Sequence, residues 1–248
     1  MRTEADVDPQ RRTAVIVGGL FIVALVLHLV GGMIYGQATG SEDFLESAYP
    51  DRRTVTLGVL VEFVAVLAIP MIGFFMFPVL KRFNEALALA YVGFRSLEAV
   101  FLIAIQTKVL ALIDLSEDHQ GTDGVDGLSL QAIGDSLLAE NDRIFVLYVL
   151  VFGLGALIFY GMLIRTRLVP RWLAIWGFAA AAWMMAGTVL IMFDAFSATS
   201  ATAEIIIVIA VPLNELALAF WLIFKGFDDR SAVTSNEAER LAVPVEAS

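Results

Sequence analysis

The chain has 248 residues, 59% of them hydrophobic, with a mean hydropathy of +0.81 and a formal net charge of −10. Soluble domains hold about 45 to 50% apolar residues, so this composition excludes an ordinary soluble fold and points to a membrane protein. The acidic balance argues against nucleic acid as a partner, and the absence of cysteine removes disulfides, thiolate metal sites and cysteine nucleophiles.

The hydrophobicity is gathered into runs long enough to cross a hydrocarbon core about 30 Å thick, which takes about 20 apolar residues of helix. Residues 1–11 are polar and are expected to be a disordered cytoplasmic segment. The first expected span, 13–36, contains His28 as its only ionisable group. It is too long for a signal-peptide core and no small-residue cleavage site follows it, so it reads as a retained span. The second, 55–80, contains Glu62 and Pro70, and the third, 86–113, holds Arg95, Glu98 and Lys108. The fourth and fifth, 144–164 and 172–193, carry no charge, and the sixth, 205–224, has Pro212 and Glu215. Residues 228–248 are expected to be a disordered cytoplasmic tail, which leaves 12–227 as one transmembrane domain. Barrel strands would alternate polar and apolar residues in short segments, and these runs do not. The fold class is therefore all-α, a polytopic six-transmembrane-helix bundle.

The connections add orientation. Arg11 and Arg12, then Lys81 and Arg82, then Arg165, Arg167 and Arg171, then Lys225 all fall on one side. The positive-inside rule places both termini in the cytoplasm of a cell that carries this chain as a multi-pass protein of its cell membrane. The connection 114–143 opens on a glycine and aspartate turn and continues with Leu130, Ile133, Leu137 and Leu138 at helical spacing behind a Ser129 cap. That pattern predicts a short external amphipathic helix lying on the outer surface. Asp118, Asp123 and Asp126 do not follow EF-hand spacing, and His119 is expected to be solvated in the same loop. Gly32 with Gly36, and Gly153 with Gly155, predict close helix packing.

At about 1.5 Å per residue the ionisable groups fall in one thin slab. His28 and Glu62 lie about 12 Å below the outer boundary, Glu98 at the same level about 18 Å from the inner one, and Arg95 and Glu215 near 15 Å. Each costs at least about 2.5 to 3.5 kcal/mol in lipid, so such groups face the bundle interior and find partners. Helical rotation puts Gln106 about 20° from Arg95 and Glu98 about 60° to the other side, on one face. Asn214 adjoins Glu215 in sequence. The candidate cluster is thus Arg95, Glu98, Glu215, Glu62, His28, Asn214 and Gln106. Lys108 is turned away from Arg95 and lies near the outer end, where its stem can reach the interface.

Three carboxylates against one arginine leave an excess of negative charge, which a proton, a cation or a charged His28 must balance. That imbalance is the physical opening for proton or cation handling. The same residues could instead form a buried network that fixes helix register. A phosphate loop, a His-Glu-x-x-His helix, a Gly-x-Ser-x-Gly elbow and a nucleotide fingerprint are all missing from the sequence. With a single imidazole in the slab, a metal site is a poor fit; no catalytic residue, metal or cofactor is assigned.

The segments "GFRSLEAV", "GLGALIFYGMLIRTRLVPRWLAIWGFAAAA" and "VPLNELALAFWLIFKGF" resemble the bacterial and archaeal membrane family catalogued as domain of unknown function 4386. The resemblance covers roughly Arg12 to Phe227, and "RLVPRWLAIWG" is its most specific part. It implies a compact polytopic membrane domain and brings no activity, cofactor or catalytic role. Arg95 with Glu98, and Asn214 with Glu215, lie in family-like stretches, while His28 and Glu62 lie in less family-like ones. The leading expectation is proton- or cation-linked movement of a small solute, with Glu98, Glu215 and Glu62 as carriers and Arg95 setting their protonation. The alternatives are a non-catalytic accessory or sensor protein and, third, an intramembrane enzyme. The expected partners are the lipid bilayer and an unidentified small solute or ion.

Overall fold

Long apolar runs must satisfy their backbone hydrogen bonds internally, which favours uninterrupted helices. The computed structural model describes residues 9–39, 44–120, 125–193 and 201–228. Every element among them is helical: α1 (Pro9–Thr39), α2 (Phe44–Ser47), α3 (Arg52–Leu80), α4 (Glu85–His119), α5 (Val125–Thr166), α6 (Arg171–Met192) and α7 (Ala201–Phe224). α1, α3, α4, α5 and α6 are long and apolar enough to cross a membrane, and Ile209–Phe224 of α7 forms a shorter apolar stretch. The expected all-α class holds.

Local chemistry sets the ends. Asn84 opens α4 by accepting the Leu87 N–H at 2.9 Å. Arg167 closes α5 in a left-handed conformation, φ 55°, with its N–H on the Leu163 carbonyl at 3.0 Å. The last carbonyls of α7 would lack intrahelical donors. Arg11 of α1 supplies them, donating to Leu222 O at 2.9 Å and Ile223 O at 2.6 Å.

The long helices form a closed ring in chain order: α1 against α3, then α4, α5, α6 and α7, with α7 returning to α1. The half of the ring near Arg11 is packed solid. Tyr91 stacks on Phe159 at 4.7 Å between ring centroids, Tyr160 meets Phe159 edge-on at 5.2 Å, and Phe21 tilts against it at 6.2 Å. Leu80, Leu163, Leu173 and Leu222 are fully buried around these rings. The opposite half holds smaller buried clusters, such as Val66 with Ala99 and Leu102 and Val55 with Val109, and a cavity beside which the site lies.

Two expectations need correction. The sequence separates a short surface helix from a span at 144–164, whereas α5 runs unbroken for 42 residues. At about 1.5 Å per residue that is about 63 Å, twice the thickness of a hydrocarbon core. Residues 140–143 are polar but contain neither proline nor glycine, so polarity ends the apolar run without ending the helix. α4 likewise continues to His119, so this residue ends a helix rather than sitting in a loop. Lys108 stands outside the cluster as expected, its Nζ paired with the exposed Glu140 Oε2 at 2.7 Å, tying α4 to α5.

The close helix contact is also displaced by one residue from the expected glycine pair. A Cβ on Gly36 would meet nothing within 4 Å, and one on Gly32 only the Tyr35 hydroxyl at 3.8 Å. Gly31 and Gly58 are the pair at the crossing of α1 and α3: a Cβ on Gly31 would stand 2.6 Å from the Glu62 Cβ and 2.7 Å from the Gly58 carbonyl. Gly153 and Gly155 do pack closely, against Met185 and Phe94. Between α1 and α3, the single turn α2 sinks Phe44 and Leu45 against Leu112 of α4. The Ser116 hydroxyl donates to the Leu45 carbonyl and accepts the Tyr49 N–H at 2.9 Å, pinning this turn to α4.

Candidate functional site

Charge in an apolar bundle persists only where helices bring partners together. Arg95 and Glu98 are one helical turn apart on the buried face of α4, 6% and 3% exposed. Arg95 Nη1 donates to both Glu98 oxygens, at 3.1 and 2.9 Å, and Nη2 donates to Glu215 Oε1 of α7 at 3.3 Å. Its Nε donates to the Tyr91 hydroxyl one turn below, at 3.2 Å. The rings of Phe21, Tyr91 and Phe152 surround the guanidinium, 5.5 to 5.7 Å from ring centroid to Cζ.

A second pair sits beside this network. The Gly31–Gly58 crossing brings the backbone of α1 against that of α3 at Glu62. One turn earlier on α1, His28 Nδ1 lies 2.6 Å from Glu62 Oε1, with Glu62 1% exposed. Small residues here decide the charge chemistry, because a larger side chain at 31 would hold the imidazole away from the carboxylate.

Arg95, Glu98, Glu215 and His28, the last with Glu62 behind it, border a cavity of about 480 Å³, of the size that takes small molecules. It lies inside the ring, and all six long helices contribute to its wall, α1 through His28, α4 through Arg95 and Glu98, and α7 through Pro212 and Glu215. Apolar side chains make up most of the rest, among them Leu25, Ile69, Leu102, Val149 and Met184. The Tyr91–Phe159 stack and the packed half of the ring lie beneath Arg95, so the charged cluster forms one end of the cavity.

The structure thus brings Arg95, Glu98, Glu215, Glu62 and His28 together, and leaves Gln106 and Asn214 apart. Gln106 is 4% exposed and shares the face of Arg95, but eleven residues of rise separate them, about 16 Å, and its Nε2 has no hydrogen-bond partner among the described residues. Angular agreement on a helix does not give proximity along it. Asn214 is a neighbour of Glu215 in sequence and so points about 100° away. Its Nδ2 donates to the Leu173 carbonyl of α6 at 3.0 Å, making it a strut between helices.

Sequence reasoning missed Tyr91, Phe152 and Thr188. Tyr91 stands four residues before Arg95, a spacing that would have marked it. Phe152 and Thr188 carry no local signal, since only the ring closure turns them inward. Among the described residues no group of three or more His, Cys, Asp and Glu could hold a metal ion. Formally the cluster holds one guanidinium and three carboxylates, so with His28 protonated it remains one negative charge in excess. In a desolvated site that excess calls for a proton or a cation.

The family described as Domain of unknown function (DUF4386) matches residues 16–226 of the chain. No curated protein and no solved structure matches it.

Proposed function

The chain belongs to the DUF4386 family, whose description names no activity, and from the cavity and its charged end we propose that it moves a small solute across the cell membrane in exchange with a proton or another cation. In this reading α7 is the sixth span: its 24 residues reach about 36 Å, and it closes the ring by packing on both α6 and α1. The termini lie in the cytoplasm, because Arg11, Lys81, Arg165 and Lys225 gather at the packed end of the ring. The cavity then occupies the outer half, and the aromatic stack seals the inner half.

One observation carries the proposal: an unfilled cavity ends on a cluster whose carboxylates outnumber its cations. Glu98 and Glu215 are the carriers, because both border the cavity, and Arg95 biases their protonation by holding both. A purely structural lock would need no cavity. Arg95 nevertheless has donors on Tyr91, Glu98 and Glu215, which favours as a second reading an accessory or sensor protein whose cluster only fixes register.

Proteoliposomes loaded with a pH-sensitive dye separate the two. Given a low-molecular-weight metabolite extract on one side, vesicles containing the chain show a lumenal pH change that empty vesicles lack. The change disappears in Glu98→Gln and Glu215→Gln. If neither a pH change nor, with sodium- and potassium-sensitive dyes, a cation change depends on the chain, or if the change survives both variants, the transport reading is wrong and the structural one stands.

A further inference from the structure

The walls of the cavity restrict what can occupy it. Among the described residues Arg95 is the one guanidinium or ammonium in the lining, and its Nε, Nη1 and Nη2 already donate to Tyr91, Glu98 and Glu215. An anion entering the cavity would meet two carboxylates, with only the spare N–H of a guanidinium already shared with both acids and the His28 imidazole, itself held at Glu62, to set against them. A sugar or other neutral polyol fares little better. Apart from the ionisable groups, the lining offers the hydroxyls of Thr188 and Tyr148, and that of Thr188 is committed to the Met184 carbonyl at 2.9 Å. Burying hydroxyls without partners costs about 1 to 3 kcal/mol each on protein scales.

The wall does suit an apolar body with one positive charge. Among the described residues Glu215 makes a single side-chain hydrogen bond, the long one to Arg95, and its side chain is 16% exposed where Glu98 is 4%. It is the carboxylate most open to the cavity. Phe145 and Tyr148, 5.6 Å apart, line the cavity and, unlike Phe21 and Phe152, do not surround Arg95. Aromatic faces and a carboxylate together are the elements that recognise a substituted ammonium. Such a group also corrects the excess charge of the cluster, which a neutral occupant leaves in place.

We infer that the cavity binds an organic monocation, an amine or quaternary ammonium on an apolar body, with its charged head at Glu215 and the Phe145–Tyr148 faces and its body against Leu25 and Val149. The inference deepens the transport reading by naming the solute class and rests on it only for direction of movement. Binding itself needs no transport.

The test uses the full chain in nanodiscs of zwitterionic lipid, with empty nanodiscs subtracted, and three probes of one shape. Benzyltrimethylammonium is the cation, neopentylbenzene its neutral isostere and phenylmethanesulfonate an anion of similar size. Equilibrium dialysis is expected to show saturable binding of the cation, with both other probes at least about tenfold weaker. Glu215→Gln weakens the cation about tenfold or more without changing the neutral probe. Ala24→Phe, which fills the cavity without altering charge, abolishes binding of all three. The inference is overturned if the cation does not bind, if the three probes bind alike, or if Glu215→Gln leaves the cation unaffected while Ala24→Phe removes it. The wild-type comparison stands even where a variant fails to fold. If probes bind without charge preference while proton movement still depends on Glu98, the solute class is wrong and transport remains. If the cation binds selectively but no flux occurs, transport is wrong and the site remains.

Discussion

Replacing Arg95 with methionine keeps an unbranched apolar stem and removes the guanidinium with its charge. The bonds lost are those to Glu98 at 3.1 and 2.9 Å, to Glu215 at 3.3 Å and to the Tyr91 hydroxyl at 3.2 Å. Two carboxylates are then left buried without their cation. Breaking a buried ion pair from one side costs about 3 to 5 kcal/mol, mostly from the orphaned charge, and Arg95→Met is expected to lose that much. The same argument fixes the size of the rescue. In the triple variant Arg95→Met, Glu98→Gln, Glu215→Gln no buried charge remains in this network, and most of the lost stability returns. Unfolding by sodium dodecyl sulfate in maltoside micelles measures both, and the chain's four tryptophans serve as the fluorescence probe. A loss under about 1 kcal/mol, the value of an exposed pair, would show that the cluster is open to solvent and unimportant to the bundle. A triple variant no better than Arg95→Met would show that orphaned charge is not the cause.

The α1–α3 crossing gives a paired prediction. Gly31→Ala places a methyl group 2.6 Å from the Glu62 Cβ and should cost about 1 to 3 kcal/mol in the same unfolding assay. Gly36→Ala, with nothing within 4 Å, should be neutral, and equal effects at both positions would refute the assignment of the contact. Outside the spans, a hydrogen bond to the Glu117 carboxylate and its negative charge hold the Tyr49 hydroxyl above the usual phenol value of about 10. The neutral form is the one favoured in the folded chain, so its contribution is complete below pH about 10 and is lost as pH rises through the higher folded value. The ultraviolet titration of Tyr49, taken as the difference from Tyr49→Phe, should move down in Glu117→Gln; an unchanged titration would remove Glu117 as the cause.

How far the sequence carried this account depends on how local each feature is. Helix existence rests on apolar runs, and each expected span falls inside an observed helix: 13–36 inside Pro9–Thr39, 55–80 inside Arg52–Leu80, 172–193 almost wholly inside Arg171–Met192. Rise and rotation are local as well, so the depth count brought Arg95, Glu98, Glu215, Glu62 and His28 to one level. The length of α5 was less legible, because a polar stretch such as 140–143 ends a membrane run and a helix alike on paper. The Arg95–Glu98 pair was legible, because its three-residue spacing is local to α4. Pairing between helices was not: that His28 takes Glu62 while Arg95 also takes Glu215 follows from the ring order and from Gly31. Asn214 and Gln106 failed for the complementary reason, one turned onto α6 and the other too far along α4.

The central claim is that the cavity is wetted from outside and sealed toward the inside. The chain has no cysteine, so single substitutions report without background. Thr188→Cys lies in the cavity wall, and Ala174→Cys in the packed half of the ring, 0% exposed. A membrane-impermeant trimethylammonium methanethiosulfonate applied to the outer face of spheroplasts should modify Thr188→Cys and leave Ala174→Cys untouched. Thr188→Cys that stays unmodified, or reacts only from the cytoplasmic side of inverted vesicles, would contradict the account.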